Sequence, residues 1–403
     1  MNPLRLSLAY LRARWLNTLL NVFLLAAGMG TIVLVLLFSH QLEDKLSRDA
    51  HGIDLVVGAK GSPMQLILSS IYHLDVPTGN IPLKEAEKLM RHRYIKTAIP
   101  LALGDSYRGF RIVGSSLDYP HHYQAGLAQG RLWQAPLEAT LGARAAEVTA
   151  LQLNGTFMGA HGLVDGGEAH AGSPYHVVGI LKPTGTALDN LILTGVESVW
   201  QVHREHGHGG GDEEEGRETQ EETREITALL LKYRTPLAAV TLPRYVNSQS
   251  SLQAASPAFE IARLLQLVGV GTDTLRAFGV LLIVAAGSSV FAALYHALQE
   301  RRHDLALMRT LGASRGVLMG HLLLEGLLLT IAGAVVGLLL GHSGAEVLGQ
   351  WLMSMNRFNI TGLVWLKEEF WLCGGALLLG ILAALVPAIQ AYRTDVAAVL
   401  SRG

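Results

Sequence analysis

The chain has 403 residues, half of them hydrophobic and 16% charged, with a formal net charge of −1 and a mean hydropathy of +0.31. Soluble domains carry roughly a quarter charged residues, so the deficit points to a membrane protein, and the near-neutral balance excludes a nucleic-acid-binding polycation. The lone Cys373 lies in an apolar run, which excludes a disulfide framework and any CxxC metal site.

Residues 1–18 come first. Leu4, Leu8, Leu11 and Trp15 recur at helical spacing among Arg5, Arg12 and Arg14, which predicts an amphipathic helix on the inner membrane surface. A bilayer core takes about 20 apolar residues of helix, and residues 19–39, 275–298, 317–340 and 370–391 meet that length. The first is too long for a cleaved signal core and no small-residue cleavage site follows it, so it reads as an anchor. The expected fold class is a membrane protein with four transmembrane α-helices, one plus three. A large external α/β domain, residues 40–274, lies between spans 1 and 2.

Orientation follows from Lys and Arg in the short flanks. Arg5, Arg12 and Arg14 precede the first span, and Arg301, Arg302, Arg309 and Arg315 crowd the connector 299–316. Arg393 and Arg402 lie in the tail 392–403, against only Arg357 and Lys367 in the loop 341–369. Both termini and the connector are therefore expected in the cytoplasm, with 40–274 and 341–369 outside.

The external region reads as two small α/β lobes. "IDLVVGAK", "FRIVGSS", "YHVVGIL" and "ITALLLKY" are short β-rich runs bounded by turn residues. "PLKEAEKLMRHR" is a helix with Pro82 in its first turn. "EATLGARAAEVTALQLNGTF" is read as a helix stopped at Asn154-Gly155. Gly58 and Gly61 in "VVGAKGSP" either cradle an anion or make tight turns. Residues 203–225, "HREHGHGGGDEEEGRETQEETRE", have no apolar periodicity and are expected to be a flexible insertion. From Ser248 onward the spacing predicts one long helix running into the second span.

Covalent chemistry has no visible seat. The sequence has no Gly-Lys pair and hence no P-loop, and no HExxH. His203, His206 and His208 lie beside Asp212, Glu213, Glu214 and Glu215, and imidazoles with carboxylates suit zinc; a solvated loop has the same composition. His161, His170 and His176 form a second, glycine-flanked set.

The connector "ERRHDLALMRTLGASRG" is the segment built to be gripped. About three helical turns place Leu305, Met308 and Gly312 on one side and Asp304, Leu307 and Leu311 on the next, with Arg301 and Arg309 adding charge. Gly312 is suited to a left-handed helix end. Apolar knobs ringed by charge fit a protein groove or lipid headgroups.

This connector, with "HLLLEGLLL" after it, resembles the segment between spans 2 and 3 of FtsX-like ABC transporter permeases, the group of MacB and the lipoprotein-releasing LolC and LolE. Arg301, Arg309, Leu311, Gly312, Ala313 and Ser314 match the family pattern directly, with Asp304-Leu305 in place of Glu-Ile. "PAIQAYRTDVAAVL" is similar to the family's tail, and the external domain is similar to MacB's periplasmic lobes. The resemblance implies a non-catalytic permease subunit in a bacterial inner membrane. A separate cytoplasmic ATPase would bind ATP and Mg and dock on the connector. A second permease copy or a sibling, and a periplasmic or outer-membrane partner, complete the implied assembly. Export or extraction of a substrate is the function implied; the alternatives are a mechanotransmission complex that activates a periplasmic partner, and a membrane-anchored metalloenzyme.

Overall fold

The computed structural model describes residues 3–161, 173–207, 224–301, 308–354 and 360–393. The chain divides into two units, one of residues 1–42 with 267–403, the other Glu43–Gln266.

Helix α1, Pro3–Ala13, meets α2, Trp15–Asp49, at Arg14 alone. The hydrogen-bond ladder carries across, because Arg14 N–H donates to Tyr10 O (3.2 Å) and Thr18 N–H to Arg14 O (3.0 Å). On α1 the apolar residues Leu4 and Leu8 face outward, about half exposed, while Ser7 is wholly buried. That polarity suits a helix whose outer face meets lipid and whose polar side chains must be satisfied within protein.

The Glu43–Gln266 unit is built on one mixed sheet. Its elements in chain order are β1 (Leu55–Ala59), α3 (Pro63–Ser70), β2 (Ile81–Pro82), α4 (Leu83–Met90), β3 (Ile95–Tyr107), β4 (Phe110–Ser115), α5 (Asp118–His122), β5 (Leu127–Gly130), β6 (Glu138–Leu141) and α6 (Ala143–Thr149). There follow β7 (Thr156–Phe157), β8 (Ala160–His161), β9 (Tyr175–Leu181), a 3-10 turn at Ala187–Asn190, β10 (Leu191–Gly195), α7 (Val196–Gly207), β11 (Glu225–Ile226), β12 (Ala228–Tyr233), α8 (Leu237–Gln249) and β13 (Leu252–Ala255). Strand order along the sheet is β13-β1-β12-β3-β4-β10-β6-β9-β5. The two lobes expected from sequence are two apolar cores on this one sheet. Leu55, Val57, Leu229, Leu231 and Val246 centre the first; Phe110, Ile112, Leu141, Val177 and Ile192 centre the second. Gly58 lies inside β1, and Ser62 Oγ accepts the Gln65 N–H to cap α3, so this glycine-bearing stretch serves strand and cap.

Two expected helices are corrected. The stretch from Glu138 contains β6, locked between β10 and β9, before the seven residues of α6. Ala150 (φ 56°) then ends that helix in the left-handed region. Cross-strand partners override the helix propensity of its Ala, Glu and Leu residues. Likewise Leu252–Ala255 is β13, paired antiparallel with β1 from Val56↔Ala255 to Ala59↔Leu252. Only beyond it does the long helix begin.

Beneath the sheet, α5 and the end of α2 enclose a polar aromatic nest. His73 Nε2 and Tyr119 Oη share a hydrogen bond (2.9 Å), Tyr72 Oη donates to Leu46 O (2.9 Å) and Tyr123 Oη to Asp49 O (2.6 Å). His73 takes φ 54°, and burial next to the Arg111 cation pushes its pKa down to about 3.

The chain closes with α9 (Pro257–Glu300), α10 (Arg315–Ser354) and α11 (Lys367–Arg393). Pro257 at the first helical position of α9 needs no hydrogen-bond partner there. Among the described residues, α2, α9, α10 and α11 are long and apolar enough to cross a membrane. Glycines let them approach closely: a Cβ on Gly333, Gly337 or Gly341 of α10 would come within 2.7 Å of Leu25, Met29 or Val33 of α2. At the α10–α11 hairpin, His342 Nε2 meets Glu369 Oε2 (3.1 Å), and Gln41 bonds both the N–H and C=O of Thr361. Trp351, Trp365, Phe370 and Trp371 stand exposed around that end, where interfacial aromatics belong.

Candidate functional site

The connector between α9 and α10 is built from its two ends. Asp304, Leu305 and Leu307 fall within residues 302–307, outside the described residues; Arg301, Met308, Arg309, Leu311 and Gly312 are described. Met308–Thr310 are helical. Gly312 takes φ 98°, its N–H donates to Arg309 O (3.1 Å), and Ala313 N–H donates to Met308 O (3.0 Å). Those two bonds are a Schellman stop, the helix end that a left-handed glycine makes cheap. Ser314 then caps α10, its Oγ accepting the Val317 N–H (3.4 Å).

The two apolar knobs separate. Met308 is half-buried and packs on the cluster of Val290, Leu294, Leu298, Leu318 and Leu322. Leu311 is 87% exposed. A leucine held that far into solvent on a capped helix end has the geometry of an anchor awaiting a pocket.

Arg301 points the other way, into the protein, at 9% exposure. Its guanidinium lies 3.6 Å from the centre of the Tyr10 ring and 3.5 Å from Glu325 Oε2. The Tyr10 ring also meets the His321 ring (5.5 Å), and His321 Nδ1 shares a hydrogen bond with Ser7 Oγ (2.8 Å). Next door, Arg14 pairs with Glu300. The connector's spacing groups Arg301 with the docking residues, and no motif singles out His321. The available signal was His321 and Glu325, one helical turn apart in an otherwise apolar span, since ionisable residues in a span face a partner.

The metal candidates are not assembled by described side chains. His203 and His206 lie on the last turns of α7, so residues 203–207 of the tract expected to be flexible are helical, and Glu225 at its other end is in β11; His208 lies outside the described residues, as does His170. Among the described residues no group of three His, Cys, Asp or Glu is placed to hold a metal.

Comparison with known proteins bears on the helical unit. Residues 276–396 match the family model described as FtsX-like permease C-terminal, which takes in most of α9, the connector, α10 and α11. A Bacillus subtilis (strain 168) protein called "Uncharacterized ABC transporter permease YknZ" is 24% identical over 154 residues, 37% of this chain and 36% of that relative. The chain thus matches about a third of that relative's length. Two solved structures are similar at low identity. The periplasmic region of MacB from Actinobacillus actinomycetemcomitans is 13% identical with a TM-score of 0.35, covering 55% of this chain and 98% of its own. The extracellular domain of the noncanonic ABC-type transporter YknZ from Gram-positive bacteria is 12% identical with a TM-score of 0.30, covering 51% and 99%.

Proposed function

Through residues 276–396 the chain belongs to the FtsX-like permease family, and from that premise we propose that it is the membrane subunit through which a separate cytoplasmic ATPase drives an ABC transporter. The observation that carries this reading is the capped connector. Leu311 projects at 87% exposure from a helix end whose backbone is fully closed by Gly312 and Ala313. The ATPase would seat Leu311, with residues 302–307 completing the contact.

Force would then leave the connector through α9, whose 44 residues run without a break from Pro257 to Glu300, and reach the Glu43–Gln266 unit on the outer side. There the sheet domain would move substrate for export or extraction. The chain itself carries out no covalent step in this scheme; ATP and Mg belong to the partner, and a second permease subunit completes the pair.

The test is recovery of a P-loop ATPase with the tagged full-length chain from membranes. Leu311→Asp should lower that recovery by tenfold or more while leaving the permease's own abundance unchanged, because an unpaired carboxylate forced into an apolar groove costs about 3–5 kcal/mol. Undiminished recovery would assign the connector to lipid headgroups instead.

A further inference from the structure

Arg301 is the last described residue before the proposed ATPase-engaging segment, and it is held from two sides. The centre of its guanidinium lies over the ring of Tyr10 of α1, 3.6 Å from the ring centre, while its Nη1 reaches Glu325 of α10 at 3.5 Å. A planar, delocalised cation is suited to lie over a ring and pair with a carboxylate at once. Arg301 and Glu325 are withdrawn from solvent, at 9% and 4% exposure, and the half-buried Tyr10 is itself braced by His321, which Ser7 holds. A second pair, Arg14 with Glu300, ties the α1–α2 junction to the final residue of α9. The charges balance, two cations against two carboxylates.

Such a cluster is a poor choice for stability alone, since well-packed apolar residues of similar volume serve as well or better, whereas fixing register is the best-attested use of a buried pair. Its position suits register: it joins α1, the end of α9 and the third turn of α10 just where the connector starts. Leu11 of α1 and Met308 of the connector share one apolar cluster beside it. We propose that Arg301 is a positioning residue, clamped between Tyr10 and Glu325 so that α1 sets where the connector begins. Helix α1 is therefore a working part of the coupling device. This inference rests on the coupling role proposed above.

The experiment needs no ATPase, so it stands or falls separately from the Leu311→Asp recovery test. In a Cys373→Ala background reconstituted in nanodiscs, spin labels are placed at Leu8→Cys and Leu311→Cys, and, as a control, at Leu19→Cys and Leu378→Cys; all four sites are exposed by at least 45%. Dipolar spectroscopy should give one narrow Leu8–Leu311 distance distribution. Arg301→Ala and Glu325→Ala should each broaden it while the Leu19–Leu378 distribution stays narrow, and Arg301→Lys should recover it only in part. If Arg301→Ala does not insert, Tyr10→Leu, which keeps apolar bulk but loses the ring face, is read instead. An unchanged Leu8–Leu311 distribution overturns the proposal. So does equal broadening of both pairs, which would make the cluster ordinary packing.

Discussion

Leu311 and Met308 look equivalent in sequence, two apolar residues on one short helix, yet they do different work. Met308 is packed into the apolar cluster of its own unit, so a charge there would disturb folding and docking together. Leu311, 87% exposed, would report on the proposed docking alone. Gly312 between them and α10 is required by its φ of 98°; any other L-residue in that region costs roughly 1–2 kcal/mol. Gly312→Ala should therefore speed amide exchange at positions 312 and 313, whose N–H groups make the stop, and leave α10 beyond Ser314 protected. In the sheet unit, His73 is a buried neutral imidazole beside Arg111, with its pKa lowered to about 3. Folded chain refuses the proton that unfolded chain accepts near 6.5. Stability is thus whole above about pH 6.5 and is lost as pH falls toward 3, by up to about 2 kcal/mol between pH 7 and 5. Amide exchange through residues 71–75, corrected for the intrinsic pH effect, should show that loss. His73→Asn, which tolerates the left-handed backbone, should flatten it.

At the scale of elements, the glycines of α10 set how near α2 can come. Gly337→Val would drive a side chain into Met29 and the Ala26 carbonyl, and overpacking of that kind costs about 1–3 kcal/mol. A lower midpoint in thermal aggregation of the purified chain is expected. Gly320→Val, on the same helix with nothing within 4 Å, should leave the midpoint unchanged. What sequence reveals about elements follows the same physics. The four spans, β1, β4, β9 and β12 were legible because a run of apolar or β-branched residues bounded by turn residues is a local signal. Strand β13 was not, since "LQAA" has no β preference and is a strand only because β1 lies beside it. The site divides likewise. Gly312's left-handed stop was readable from the residue type, whereas Arg301's burial depends on Tyr10 and Glu325, which spacing within the connector cannot reveal.

For the whole molecule, the arginine asymmetry across the four spans predicts that the connector and both termini face the inside of the cell. A membrane-impermeant maleimide applied to intact cells should therefore miss Leu311→Cys in a Cys373→Ala background and react once the membrane is opened. Labelling from outside would invert the topology. The sheet unit has a mechanical property that follows from the β1–β13 pairing. Helix α2 leads into β1 at Leu55, and β13 leads out at Ala255 into α9; the antiparallel register sets Val56 opposite Ala255. Both chain exits thus lie at the same end of one two-stranded ribbon. Drawn along together, the two exits put no strain on the ribbon. Splayed apart, they would peel its hydrogen bonds one at a time from Val56–Ala255 toward Ala59–Leu252, as a zipper opens, rather than shear them all at once. The domain is stiff to a common pull and soft to a differential one.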